Sequence, residues 1–179
     1  MIPKKLHPRS AARRFARDRK GVAAVEFAAV LFPFLAIMTA MTETGLMYFS
    51  ETMMENGVVR ASRMIKTGQA QDQKTTISQF KAAVCGGLMA YLDCENRIYV
   101  DSKVLANFAS ADSTPPLDED GNLQKDQPFQ LGGTSQIVQV RAYLPWKRLV
   151  TFMPISGTQT ADGDMLLSAG ALFRNEPFP

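Results

Sequence analysis

The chain has 179 residues and a formal net charge of +3, which suits one modest domain plus an additional segment. The charge is divided unevenly, because residues 1–21 are strongly basic, with Asp18 as their only acidic residue, and the remainder is net acidic. The only histidine, His7, lies in the basic part, which excludes Ser-His-Asp and Cys-His catalysis for the rest of the chain.

Motifs of catalysis and cofactor binding are missing from the sequence. It contains no P-loop, no G-x-S-x-G and no G-x-G-x-x-G pattern. The paired-carboxylate option rests only on Asp118, Glu119 and Asp120, which show no sign of burial. We therefore expect a protein that is not an enzyme and that has no cofactor and no metal site.

An apolar segment follows the basic residues directly. No charge occurs from Phe27 to Thr42, and with its flanks this run reaches the roughly 20 residues that a bilayer requires. Pro33 lies inside the run, which membrane helices tolerate. The basic residues could form a nucleic-acid-binding arm, but this is disfavoured because the apolar run follows at once. A cleaved signal peptide is disfavoured because a cut after Ala40 would place Met38 at position −3, where a small residue is required. Basic residues beside an apolar run favour a cytoplasmic N-terminus and an exported C-terminus.

Two carboxylates interrupt the apolar character. Glu26 lies near its start, where a carboxylate in lipid is costly unless it has a partner. It is interpreted either as a residue at the membrane interface or as one that pairs with a specific group. Glu43 raises the same question farther along the chain.

Helical periodicity continues beyond Glu43 and predicts one long helix over residues 22–67. Lys66 and Gly68 are typical of a helix C-terminus. The predicted apolar stripe consists of Leu46, Ser50, Met53, Met54, Gly57, Ala61, Met64 and Ile65. We expect this part of the helix to pack on its own domain or on another chain.

A second, short helix is predicted after residue 75. Thr76 and Gln79 form a capping-box pattern, and Gly86-Gly87 weakens the other end of the helix. The residues that it should bury are Ile77, Phe80, Val84, Leu88 and Tyr91. Cys85 and Cys94 lie on the exported, oxidising side, so a disulfide is expected, with two unpaired buried thiols as the alternative.

Three later stretches predict strands. Arg97–Val104 alternates and leaves one face wet, Gln136–Leu144 faces Val138, Val140, Ala142 and Leu144 inward, and Met165–Arg174 has a mixed apolar character that suits a central position. The loop of residues 109–133 between the first two strands is interpreted as a solvated insertion rather than a functional loop.

The elements together predict an α+β fold. One long N-terminal membrane-spanning helix would carry a small exported domain with a short helix and a three-stranded antiparallel sheet. The domain bounds are a basic cytoplasmic leader over residues 1–21, the long helix over 22–67 and the exported domain over 68–179.

The residues around Gly21 resemble a known processing site. A basic leader, then Gly21, then an apolar segment with Glu26 at its fifth position is similar to the prepilin peptidase site of type IV pilins and pseudopilins. Lys20–Ala28 resembles more narrowly the TadE-like pseudopilins of the Tad (tight adherence, Flp) pilus system. Val138–Trp146, Ala171–Phe178 and the cysteine pair are also similar to that family.

The resemblance implies a function. A membrane-embedded prepilin peptidase would cut after Gly21 and leave Val22 as the new N-terminus. Glu26, followed by Phe27, would then neutralise the α-amino group of a neighbouring subunit during assembly. Members of the family are minor components that prime or cap a pilus used for surface adherence.

The resemblance also implies partners and a location. The partners would be the prepilin peptidase, other pseudopilins, the major Flp-type pilin, the inner-membrane assembly platform and the membrane itself, without nucleic acid. The protein would be a single-pass protein of the inner (cytoplasmic) membrane with a periplasmic or extracellular C-terminal domain. The alternative is an unprocessed, membrane-anchored binding module in which Gly21 is accidental.

Overall fold

The computed structural model describes residues 21–89, 92–151 and 157–178. The basic leader up to Lys20, Tyr91 and the apolar residues Phe152–Pro154 lie outside the described residues. Two compact units divide between Met41 and Thr42. The helices are α1 (Val22–Lys66), α2 (Gln69–Asp72), α3 (Ile77–Cys85) and α4 (Cys94–Arg97), and the strands are β1 (Tyr99–Leu105), β2 (Ile137–Trp146) and β3 (Met165–Arg174).

The first unit contains α1 as far as Met41. The helix continues through Pro33, and no residue from Gly21 to Met41 is buried. The prediction of one long helix is confirmed, with Lys66 rather than Thr67 as its last residue.

In the second unit, residues 43–65 of α1 present one buried face. The buried residues are Glu43, Met47, Ser50, Met54, Gly57, Val58, Ala61, Ser62 and Ile65, at the three- and four-residue spacing of one helix face. The predicted stripe is wrong at Leu46, which is 40% exposed, and Met53 and Met64 are only half-buried. Met47 takes the place of Leu46 because it lies four residues after Glu43 and three before Ser50.

The short helix α3 begins with the predicted capping box. The Thr76 hydroxyl accepts from the Gln79 amide, and the Gln79 side chain accepts from the Thr76 amide. Phe80 and Val84 are buried, Ile77 and Leu88 are half-buried, and the helix ends before the two glycines as predicted. The last turn of α3 lies very close to α1. A Cβ atom added to Gly57 of α1 would be only 2.3 Å from the carbonyl oxygen of Val84, so only glycine fits at this position.

The three strands form an antiparallel sheet in the order β1-β2-β3. The predicted inward residues of β2 are all 0% exposed and belong to the main core with α1 and α3. The predicted central position of β3 is wrong, since β2 is central. The mixed apolar character of β3 arises because Leu167 and Ala169 pack in the main core while Leu166 packs in a second cluster on the opposite face.

The predicted wet face of β1 is confirmed at Lys103, which is exposed, but is wrong at Tyr99 and Asp101. Tyr99 is 2% and Asp101 1% exposed, because the chain between β1 and β2 returns over this part of the sheet. The Tyr99 hydroxyl donates to the Asp126 carbonyl at 3.1 Å. At the strand edge, the Ser102 amide donates to the Pro128 carbonyl (2.8 Å) and the Ser102 carbonyl accepts from the Gln130 amide (2.9 Å). The loop of residues 109–133 was predicted to be a solvated insertion. Its acidic residues 118–120 are exposed as predicted, but its residues 128–130 cover the edge of β1.

Candidate processing and assembly site

The predicted cleavage site lies at the first turn of α1. Gly21 is an exposed turn residue, and a Cβ placed on it would meet no atom within 4 Å. Its carbonyl oxygen accepts a hydrogen bond from the Val25 amide at 3.1 Å. Gly21 and Val22 are therefore exposed, and a protease would have to release the helical hydrogen bond at the Gly21 carbonyl to extend the chain here.

The predicted assembly residues follow within the next turn and a half. Glu26 and Phe27 are exposed, Phe27 at 65%, and Glu26 makes no hydrogen bond or ion pair with any described residue. Val22 lies four residues before Glu26, so the two share a helix face. An N-terminal amine created at Val22 would therefore emerge on the face that carries the carboxylate.

The apolar residues around Glu26 cover every side of the helix. Ten large apolar side chains are exposed in this unit: Val22, Val25, Phe27, Val30, Phe32, Phe34, Leu35, Ile37, Met38 and Met41. A helix that is apolar all round needs lipid or other protein around it. Among the described residues, one helix is long and apolar enough to cross a membrane, and its most apolar stretch is not buried in the protein.

Glu43 has a partner within the second unit. Its side chain is 5% exposed, and its two carboxylate oxygens accept from the Leu149 amide at 2.6 Å and the Val150 amide at 2.8 Å. Two backbone donors satisfy a buried carboxylate well because each oxygen receives its own hydrogen bond. The partner is a loop more than one hundred residues away in sequence, which no local pattern indicates.

The predicted disulfide is confirmed. Cys85 and Cys94 are bonded, with their Cα atoms 5.8 Å apart. The bond joins the last residue of α3 to the first residue of α4, directly before β1. Among the described residues, no group of three or more His, Cys, Asp or Glu side chains is placed to hold a metal ion.

A buried ionic cluster on the outer face of the sheet was not predicted. Arg141 donates through Nε to Asp101 Oδ1 (3.0 Å) and through Nη2 to Asp101 Oδ2 (2.5 Å). Its Nη1 donates to the Thr114 carbonyl (2.9 Å) and contacts the Asp112 carboxylate (3.4 Å). Arg141 therefore fastens the loop after β1 to the centre of the sheet. Strand alternation places Asp101 and Arg141 on the same outward face, but the register that pairs them is set by the fold.

This cluster shifts the ionisation of its neighbours. Burial, assisted by the nearby Asp101 carboxylate, raises the pKa of Tyr99 to about 12. The hydrogen bonds that Arg141 donates to the Asp101 carboxylate raise the pKa of Arg141 above its ordinary value. Because the Arg141 guanidinium donors are engaged by protein acceptors, we interpret the cluster as structural rather than as a ligand site.

The fold and the exposed helix define a class. One N-terminal apolar helix followed by a compact α+β unit fits a single-pass membrane protein. Residues 21–63 match the family model of TadE-like proteins. The match begins at Gly21 and covers nearly all of α1, so the resemblance inferred from the sequence is confirmed over this segment. No curated protein and no solved structure matches the chain.

Proposed function

We propose that the chain is a minor pseudopilin that takes part in the priming, capping or tip assembly of a Tad/Flp pilus used for surface adherence. The observation that carries the proposal is the TadE-like match, which starts at Gly21 and covers a helix whose first half is apolar on all sides. Such a helix can lie in a bilayer before assembly and can pack among the helices of other subunits afterwards.

Processing between Gly21 and Val22 is part of the proposal. The exposure of Gly21 and Val22 at the start of α1 supports it, since a peptidase has to reach this peptide bond. Cleavage would remove the basic leader and create a cationic α-amino group at Val22.

Glu26 is proposed to bind the α-amino group of a neighbouring subunit. Support comes from its exposure and from its lack of a partner among the described residues, in a segment where a lone carboxylate is costly. The neighbouring subunits would be other pseudopilins and the major Flp-type pilin, delivered through the inner-membrane assembly platform.

The proposed topology is a cytoplasmic N-terminus with the second unit on the periplasmic or extracellular side of the inner membrane. The strongly basic residues 1–21 support this orientation. The Cys85–Cys94 disulfide supports an oxidising compartment for the second unit. We propose a structural rather than an enzymatic role, since the only histidine would leave with the leader.

Substitution of Glu26 tests the assembly role. In the native host, Glu26→Ala is expected to abolish piliation while membrane insertion and the disulfide persist. Glu55→Ala is the matched control, because Glu55 is an exposed glutamate on the same helix but in the second unit. Normal piliation by Glu26→Ala would contradict the proposal and favour the membrane-anchored binding module.

A further inference from the structure

An exposed leucine is held in place by a buried carboxylate. Leu149 is 81% exposed, the highest value among the large apolar side chains of the described residues. Its own amide and that of Val150 are nevertheless bound by Glu43, and Val150 is 5% exposed. Arg148 also donates to the Val150 carbonyl at 2.9 Å. The backbone of this loop is therefore fixed while the Leu149 side chain is presented to the surroundings.

The position of Glu43 gives the level of this loop along α1. Glu43 is the first charged residue after the charge-free run that ends at Thr42. A membrane span that starts at Val22 and needs roughly 20 residues ends just before Glu43. Whatever Glu43 binds therefore lies at the level where α1 leaves the bilayer.

Other exposed apolar side chains of the second unit lie close to Glu43 along α1. Leu46, Tyr48 and Phe49 are 40%, 61% and 53% exposed, and they follow Glu43 within two helical turns. Aromatic residues concentrate at the membrane–water interface because their rings suit the headgroup region. Lys147, the first residue of this loop, is exposed and adds a positive charge suited to anionic headgroups.

We propose that residues 147–150 form an interfacial loop that rests on an anionic lipid surface, with the Leu149 side chain entering the headgroup–acyl boundary. This second membrane contact rests on the proposed single span by α1. Glu43 is its positioning residue, because its carboxylate fixes the two amides that orient Leu149. The contact would tie the second unit to the membrane until the subunit is extracted for assembly.

Depth-dependent fluorescence quenching tests the proposal in the full-length protein. The native cysteines are bonded to each other, so Leu149→Cys provides a single free thiol for an NBD label. The labelled protein is reconstituted in phosphatidylethanolamine–phosphatidylglycerol vesicles that contain lipids with shallow or deep doxyl quenchers. Val59→Cys is the matched control because Val59 is 60% exposed on the same helix but lies beyond the interface. Met38→Cys reports on the span itself.

The expected result is that shallow doxyl lipids quench the label at residue 149 about twofold more strongly than the label at residue 59. Deep doxyl lipids should quench the label at residue 38. Quenching at 149 no stronger than at 59, with residue 38 quenched, would overturn the interfacial loop and leave the single span intact. A blue-shifted but unquenched label at 149 would indicate a protein cover and would also overturn it. No quenching at residue 38 would overturn both the span and the loop.

The role of Glu43 has its own comparison. Glu43→Gln replaces one carboxylate oxygen by an NH2 group that cannot accept a hydrogen bond from an amide. Combined with Leu149→Cys, Glu43→Gln should lower quenching of the label at residue 149 about twofold. Combined with Met38→Cys, it should leave quenching of the label at residue 38 unchanged. Glu51→Gln is the control, because Glu51 accepts from the Ser168 amide on β3 rather than from the loop. Unchanged quenching with Glu43→Gln would overturn its positioning role.

Discussion

Loss of Arg141 is expected to destabilise the second unit strongly. In Arg141→Met, the Asp101 carboxylate stays 1% exposed but loses both guanidinium hydrogen bonds. The carbonyl of Thr114 loses its donor as well. Breaking a buried ion pair by removing one partner costs about 3–5 kcal/mol, since an uncompensated charge stays buried. We expect a loss of free energy of unfolding in this range.

Urea unfolding of the full chain in detergent, followed by circular dichroism, measures this loss. With a slope of about 2 kcal/mol per molar urea, the midpoint should fall by about 1.5–2.5 M. Lys103→Met is the matched control, because Lys103 is 3.8 Å from Asp101 but 46% exposed, so its removal should cost at most about 1 kcal/mol. The double variant Asp101→Leu/Arg141→Met removes both charges and should recover part of the loss. A cost below about 1 kcal/mol for Arg141→Met would refute the reasoning.

Three further predictions concern stability. Replacing Cys85 and Cys94 by serine should lower the free energy of unfolding by about 2–3 kcal/mol, and reductant should then have no further effect on urea unfolding. Gly57→Ala should lower the melting temperature, because its Cβ meets the α3 backbone, whereas Gly45→Ala, with no atom within 4 Å, should not. The pKa of Tyr99 is raised to about 12, so the stabilising contribution of its protonated form is complete below pH 10 and is lost as the pH rises toward 12. The urea midpoint of Tyr99→Phe should therefore fall less steeply between pH 10 and pH 12 than that of the unaltered protein. An identical pH slope in both proteins would contradict the last prediction.

Local patterns predicted the elements of this fold well. The period of the apolar residues predicted α1 almost to its last residue, and the Thr76–Gln79 capping box predicted where α3 begins. The alternation in β2 predicted its four inward residues, because one face of that strand packs on the helices. Each of these signals depends on residues only a few positions apart.

Long-range contacts account for what the sequence could not show. Tyr99 and Asp101 have the pattern of a wet face, but the chain that follows β1 returns to cover them and supplies acceptors for Arg141. β3 looks central because its first three residues, Met165–Leu167, are buried on both faces of the sheet, although β3 pairs only with β2. The partner of Glu43 lies more than one hundred residues away, so its charge alone could not reveal it.

More of the candidate site than of these long-range contacts could be predicted from the sequence. The Gly21–Glu26 spacing and the apolar run led to the TadE-like resemblance, which the family match supports from Gly21 to Arg63. The structure adds that the predicted cleavage site is exposed and that Glu26 has no partner among the described residues. The cleavage itself and the neighbour of Glu26 involve other proteins and stay predictions.

The intact mass of the protein purified from the membranes of its own host tests the central claim most directly. We predict a mass that lacks residues 1–21 and that is lower by two further hydrogens because Cys85 and Cys94 are bonded. N-terminal sequencing of the same sample should then begin at Val22. A full-length mass with Met1 retained would contradict processing as a pseudopilin and would leave a membrane-anchored binding module as the better account.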